Sequence, residues 1–324
     1  MLWILRRLGH GLLLLVGVSC LTFGLTELAP GDYFDDLRLD PRIPPETVAA
    51  MQARYGLDQP LVTRYVRWLG SVARGELGYS FAYDSPVAPL LWPRARNSLL
   101  LAGTATLLAW LIAVPLGLWA AASRWRWVQP AFAGATSVLL AIPELLLALL
   151  GLWLAARTGW LPTGGMASLD ADQLGFWARL GDLVVHLVLP ATVLTLGMIP
   201  VLARHVHASV TEVLPERYLQ VARRRGVGKR RLLLRHALPV AANPLITLLG
   251  ASLGSLLSVS LLVEVVLSWP GLGPLLLGAI LARDVHLVIG AVLLSTLFLL
   301  LGNLLADLLL YASDPRIRVR RRAA

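Results

Sequence analysis

Few residues in this chain have the type and spacing for chemistry, and each narrows the range of reactions. Gly228-Lys229 superficially suggests a loop that cradles phosphates. Such a loop needs a glycine five residues before its second glycine, and a serine or threonine after the lysine. Those positions hold Arg223 and Arg230, so no nucleotide site is expected here. Metal ligation finds no better support. His205 and His207 are two apart and point to different helix faces, and His186 stands alone in an apolar run. The single cysteine, Cys20, excludes an intrachain disulfide or a thiolate cage and reads as a small packing residue. No nucleophile and base converge for an intramembrane enzyme. What stands out is carboxylates within apolar segments, where charge is costly and function is the default hypothesis. Glu144 follows Pro143. It either lines a cavity and meets a substrate amine, or faces another helix as a neutral or paired group. Glu264, at the end of an apolar run, reads as a capping or pairing residue at the interface. Asp307 is expected to pair with a nearby basic group, and Asn303 to hydrogen-bond between helices.

These residues must be held by helices that cross a bilayer. The 324 residues are 57% hydrophobic and only 15% charged, and the mean hydropathy is +0.70. That is no soluble globular composition. The charges cluster between long apolar runs, as in a polytopic helical membrane protein whose backbone groups must be satisfied within each segment. Six segments qualify as spans: 9–28, 98–122, 129–156, 183–202, 241–266 and 285–310. Each holds roughly 20 or more residues, enough to cross a ~30 Å core. Pro115 and Pro143 are expected to kink the second and third spans. The fold class is therefore all-α. The expected organisation is a first helix with an outer segment (1–97), a five-helix core (98–310) containing a loop at 204–240, and a basic tail (311–324).

The net charge of +10 could suit nucleic acid, but orientation in a membrane accounts for it. With the N-terminus inside, the inner segments carry eighteen of the basic residues and the two short outer loops carry three. Both termini and the 204–240 loop then lie on the cytoplasmic side. The first apolar run has a basic start but is too long for a secretory signal, so it reads as a retained span. The long outer segment shows a helix from Pro45 to near Gly56, an amphipathic helix over 61–74 and a turn at 75–80. It either caps the first spans or offers a docking surface to an outer partner.

The 204–240 loop carries nine basic residues. Pro215 suits the first position of a helix, Glu216 its first turn, and Arg223, Arg224 and Arg225 its last. Tyr218, Val221, Ala222 and the stem of Arg225 fall on one face. Gly226 terminates the helix, and a second helix runs from Lys229 to before Pro239. Ala222 would let a partner approach closely. Such a knob can dock into another protein, or lie on anionic lipid at the interface. Gly250 and Gly254, continued by Ser258, form a small-residue face for close packing against the third span or a second subunit.

The stretch Tyr218–Gly226 (YLQVARRRG), with 235–238 (RHAL), Pro244 and 248–250 (LLG), resembles the coupling loop of binding-protein-dependent ABC permeases. More narrowly, it is similar to the dipeptide/oligopeptide/nickel permease family. Further landmarks follow in order: 5–7 (LRR), 28–32 (LAPGD), 56–61 (GLDQPL), 75–80 (GELGYS), 189–191 (LPA), Glu264 before Trp269, Pro270, Gly271, Leu272 and Gly273, then Arg283-Asp284, Asn303, Asp307, Tyr311 and 314–318 (DPRIR). The ordered set covers nearly the whole chain.

The resemblance implies a type I ABC importer permease with a second homologous permease subunit, two cytoplasmic ATPase subunits and an extracytoplasmic substrate-binding protein as partners. It implies no cofactor on this chain, because ATP and magnesium would sit on the ATPases. Tyr218, Gln220, Val221, Ala222, Arg223, Arg225, Gly226 and Lys229 would form the ATPase-coupling element. The match to the family pattern implies a gate or subunit contact for Glu264, and Pro270, Gly271 and Gly273 would join it near a gate. The implied activity is ATP-driven import, chiefly of di- or oligopeptides, by alternating access; nickel or another small solute is the alternative cargo. The sequence departs from the pattern at Gln220, where a glutamate is usual, at Pro239-Val240 in place of Arg-Asn, at Tyr33 in place of proline, and at Glu144, where a small or uncharged residue is usual. A secondary carrier would instead predict paired inverted repeats with broken helices, and no such repeat is visible.

Overall fold

The computed structural model describes residues 2–28, 33–34, 38, 42, 44–54 and 59–313, with only the backbone described at 2–5, 27, 49, 51–54, 251 and 253–259. The 28–32 landmark beyond Leu28, Gly56 and the tail from 314 lie outside the described residues, as do the side-chain surroundings of Gly254 and Ser258. The chain is helical almost throughout. In order it forms α1 (Leu2–Leu28), α2 (Pro45–Arg54), α3 (Leu61–Val72), a short hairpin of β1 (Tyr79–Ser80) and β2 (Ser85–Pro86), α4 (Val87–Ala122), α5 (Val128–Ala141), α6 (Glu144–Thr158), α7 (Phe176–Val213), α8 (Arg217–Arg224), α9 (Lys229–Arg231), a π-helical turn (Leu232–Ala237), α10 (Leu238–Val266), α11 (Leu272–Leu281) and α12 (Val285–Ser313).

Among the described residues five helices are long and apolar enough to cross a membrane, and α5 with α6 makes a sixth if the bent pair is one span. The pair turns by 86° at Ile142-Pro143. That is a break rather than the expected kink. Proline lacks an N–H and drives the preceding residue out of the helical region; Ile142 accordingly sits at φ −84°, ψ 117°. Pro115 leaves α4 an unbroken helix, and Pro190 and Pro200 are carried inside α7. Several spans overrun their apolar limits, α4 and α7 the furthest. α4 begins at Val87, and α7 continues to Val213, past the hydropathy drop at Arg204. At 38 residues α7 is longer than a bilayer core requires.

Two compact units divide the chain: Met1–Ser98 with Pro270–Phe298, and Leu99–Trp269 with Leu299–Ala324. In the first, Phe23, Trp68 and Ile289 form a buried cluster. The Trp68 indole donates to the Leu77 carbonyl at 3.1 Å, tying α3 to the segment before the hairpin. Asp284, fully buried, is its polar centre. It accepts from Ser80 Oγ at 2.6 Å, from the Ala82 amide at 3.1 Å and from the Leu287 amide at 3.1 Å, so it caps α12 while holding the hairpin.

The second unit packs through small residues. Ala109, Ala113, Ala120 and Ala203 surround Val128, Phe132 and Leu202. A Cβ on Gly117 would stand 2.8 Å from the Ala203 carbonyl and 2.7 Å from Val206, so α4 and α7 meet backbone to backbone. Gly250 of α10 lies directly against Ala306 and Gly302 of α12. The neighbour at this glycine is therefore the last helix, which neither expected packing partner anticipated.

Candidate functional site

The elbow between α7 and α10 is built almost entirely from local signals. Pro215 does not open its helix, contrary to its sequence signal; Glu216 is the N-cap, and α8 begins at Arg217. The Gln220 side-chain amide donates to the Pro215 carbonyl at 2.9 Å and closes the entering turn. An ionised glutamate could not make that bond. At the other end Val227 N–H bonds to Ala222 O at 3.2 Å, and Gly226 N–H to Arg223 O at 3.1 Å. With Gly226 at φ +82°, these bonds form a Schellman cap.

One face of α8 is turned inward. Leu219, 1% exposed, packs with Leu232 and Ala237, and Ala222, Val213 and Val227 line the same cluster. Ala222, one helical turn on from Tyr218, is half-buried and packs against its own chain. The outward face carries Tyr218, Val221, Arg223 and Arg225, with Tyr218 44% and Val221 48% exposed. Leu219 went unmarked in the sequence, although its position three residues before Ala222 is the signal for a second face. The Tyr218 hydroxyl reaches the His236 carbonyl at 3.4 Å. Burial, and secondarily the Glu216 charge, push this phenol above its ordinary pKa, so it stays a donor at neutral pH.

The second arm does not end before Pro239. α9, the π turn and α10 run on without interruption, with Pro239 in the first turn of α10. The elbow is thus continuous with a long helix on each side, α7 before it and α10 after it. Lys229, Arg230, Arg231 and Arg235 border an open concavity of about 650 Å3 with Gly228 and Leu234. Among the described residues no carboxylate pairs with Arg223, Arg225 or Lys229. The elbow therefore presents an exposed cationic surface joined directly to two long helices.

The residues expected near a gate fall in two places. Glu264, fully buried near the end of α10, accepts from Ser260 Oγ at 3.2 Å, and its carbonyl accepts from Trp269 N–H at 2.8 Å. Ser268 at φ +52° completes a second Schellman cap, here on a non-glycine residue. In the first unit, the Pro270 carbonyl accepts from Asn97 Nδ2 at 2.9 Å, and Gly271 is the N-cap of α11. The Leu272 amide donates to Ser98 Oγ at 2.8 Å, and Gly273 is buried in the first turn. α11 itself is a short apolar helix outside the six expected spans.

Glu144 is the first residue of α6, beside Gly197 of α7. Asn303 is half-buried on α12, next to the Gly302 contact, and Asp307 lies one turn further. His186 is satisfied by Asp182, at 2.9 Å from its carbonyl. Among the described residues no three His, Cys, Asp or Glu side chains gather to hold a metal. Arg204 donates to Thr136 Oγ1 at 2.9 Å and to Ser137 Oγ at 2.6 Å, tying α7 to α5.

Comparison with known proteins adds to this geometry. A family model described as "Binding-protein-dependent transport system inner membrane component" matches residues 113–319, and a companion model of the N-terminal part of such membrane components matches residues 1–98. The chain is 32% identical over 97% of its length to the oligopeptide transport system permease protein AppB of Bacillus subtilis, covering 98% of that relative. It is 33% identical to the dipeptide transport system permease protein DppB of Escherichia coli K12, with 98% of each chain covered. A putative peptide permease protein of Brucella suis is 33% identical over 97% of this chain and 98% of its own. Among solved structures, the inward-facing MetNI methionine ABC transporter aligns with a TM-score of 0.55 at 16% identity, covering 69% of this chain and 96% of the other. That likeness shows a shared fold.

Proposed function

The chain belongs to the inner membrane components of binding-protein-dependent transport systems, as a permease subunit of an ABC importer rather than an enzyme, and on that premise we propose that it carries di- or oligopeptides by ATP-driven alternating access. The observation that carries the cargo is near-full-length similarity to permeases named for oligopeptide and dipeptide transport. Family membership already makes it a multi-pass inner-membrane protein that works with ATPase and substrate-binding partners. In our reading the outward face of α8, centred on Tyr218 and Val221, docks into an ATPase subunit. ATP and magnesium act there, and ATPase closure pushes α7 and α10 through the elbow. A second homologous permease completes the pathway. The excess of basic residues in the 204–240 loop and the tail supports cytoplasmic termini.

The test is uptake by the reconstituted complex of both permeases, the ATPases and the receptor protein. Alanine peptides of two to five residues, read by mass spectrometry inside proteoliposomes, should accumulate only with ATP and magnesium. Accumulation driven by a proton or sodium gradient without nucleotide turnover would sink the mechanism. Failure to carry any of these peptides while transporting nickel would sink the cargo.

A further inference from the structure

At the Ile142-Pro143 break, a carboxylate and an irregular backbone segment occur together. Glu144 opens α6, and its side chain lies across α7 at Gly197. A Cβ on Gly197 would stand 2.6 Å from Glu144 Oε1 and 3.1 Å from its Cδ, so the carboxylate occupies the space that any side chain at 197 would need. One turn pair further along, the same two helices touch at Gly151, whose Cβ would stand 2.9 Å from Leu189. Glu144, Ala148 and Gly151 thus share the stripe of α6 that faces α7. Leu145, Leu146, Leu149 and Leu150, all exposed, form its other side. The carboxylate therefore belongs to the protein-facing stripe, away from the apolar side that suits lipid.

Among the described residues no donor or cation is hydrogen-bonded or ion-paired to Glu144. Carboxylates at membrane depth are rare, and those present pair with another group or line a water-filled cavity. The N-terminus of α6 offers only a fractional positive charge. The break points the same way. Non-helical backbone within a bilayer is tolerated where it is packed in protein or faces an aqueous cavity, and at Pro143 the chain gives up helical pairing beside an unpartnered acid.

We propose that Glu144 is a specificity-determining residue of the translocation pathway, where its carboxylate receives the α-ammonium of the peptide in transit while Gly197 keeps the position open for it. A zwitterionic peptide crossing an apolar passage leaves its ammonium without water. A single fixed carboxylate compensates that loss and disfavours cargo lacking a cation. The inference rests on the peptide reading above.

The experiment uses the same reconstituted complex and the alanine peptides, with Glu144→Gln, Glu144→Asp and Gly197→Ala, and complex assembly is read by gel filtration in parallel. Glu144→Gln is expected to assemble normally and to need about tenfold more peptide for half-maximal uptake, the equivalent of one modest ion pair. Glu144→Asp should recover part of that loss. Gly197→Ala, whose Cβ displaces the carboxylate, should shift the requirement in the same direction as Glu144→Gln. Uptake by Glu144→Gln within twofold of the parent overturns the assignment. So does failure of Glu144→Gln to assemble, which would make the carboxylate a subunit contact. If the parent complex carries none of the peptides, this inference falls with the cargo on which it rests; if the parent carries them and Glu144→Gln is indifferent, this inference alone falls.

Discussion

Gly226 shows how a single backbone angle can matter without any crowding. At φ +82° it occupies the left-handed region, yet a Cβ there would meet nothing within 4 Å. The requirement is conformational, so Gly226→Ala should cost about 1 kcal/mol and a β-branched residue more. Gly226→Val is expected to insert normally and lose most ATP-coupled uptake, because the Schellman cap that fixes the exit of α8 would open; unchanged uptake in the vesicle assay would refute the role given to the turn. Among the described residues four helix ends use this same cap, at Gly75, Gly226, Ser268 and Arg283. Gly226 was legible as a terminator because glycine advertises the left-handed conformation. Ser268 and Arg283, at φ +52° and +54°, were not, because nothing about serine or arginine marks them for it. Asp284 was visible only as a motif residue. Two of its hydrogen bonds join α12 to a hairpin 202 and 204 residues away in sequence, a separation that periodicity cannot bridge.

Among the elements, the elbow was largely readable and its inward face was not. Acidic and basic residues at the right ends, a glycine stop and an amphipathic period predicted a helix close to the observed Arg217–Arg224. Ala222 sits one turn from Tyr218, yet it is half-buried against the inward cluster. Which stripe faces a partner is decided by what the rest of the chain already covers, here Leu232 and Ala237. Leu219→Ala is expected to cost about 2–4 kcal/mol locally, as the loss of a buried leucine does. Protease sensitivity between α7 and α10 should rise while the long helices stay inserted; a cleavage pattern like the parent's would show that Leu219 is no anchor. Hydropathy also misplaced helix ends. α7 passes Arg204 because a charged residue ends an apolar stretch without ending a helix, and that arginine spends its donors on Thr136 and Ser137. Prolines show the converse. One residue type leaves α4 and α7 continuous and breaks the chain at Ile142-Pro143, since the outcome depends on whether neighbours re-satisfy the freed carbonyls.

For the whole molecule, composition and apolar run length were enough to give an all-α membrane protein, because a bilayer permits few alternatives. A broken span is also a feature of secondary carriers, but no second bent pair occurs among the described residues, and family membership assigns the chain to the importers. The account as a whole depends on force entering at one exposed surface. Val221 lies on that surface and is 48% exposed, and Cys20 is the native thiol to be removed first. The most direct test is therefore a cysteine placed by Val221→Cys in a Cys20→Ser background and probed with a short bifunctional cross-linker in membranes containing the full complex. The account predicts a cross-link to an ATPase subunit, labelling only from the cytoplasmic face, and uptake that stops on cross-linking and returns on cleavage of the linker. Labelling from the outer face, or full uptake with the link in place, would contradict it.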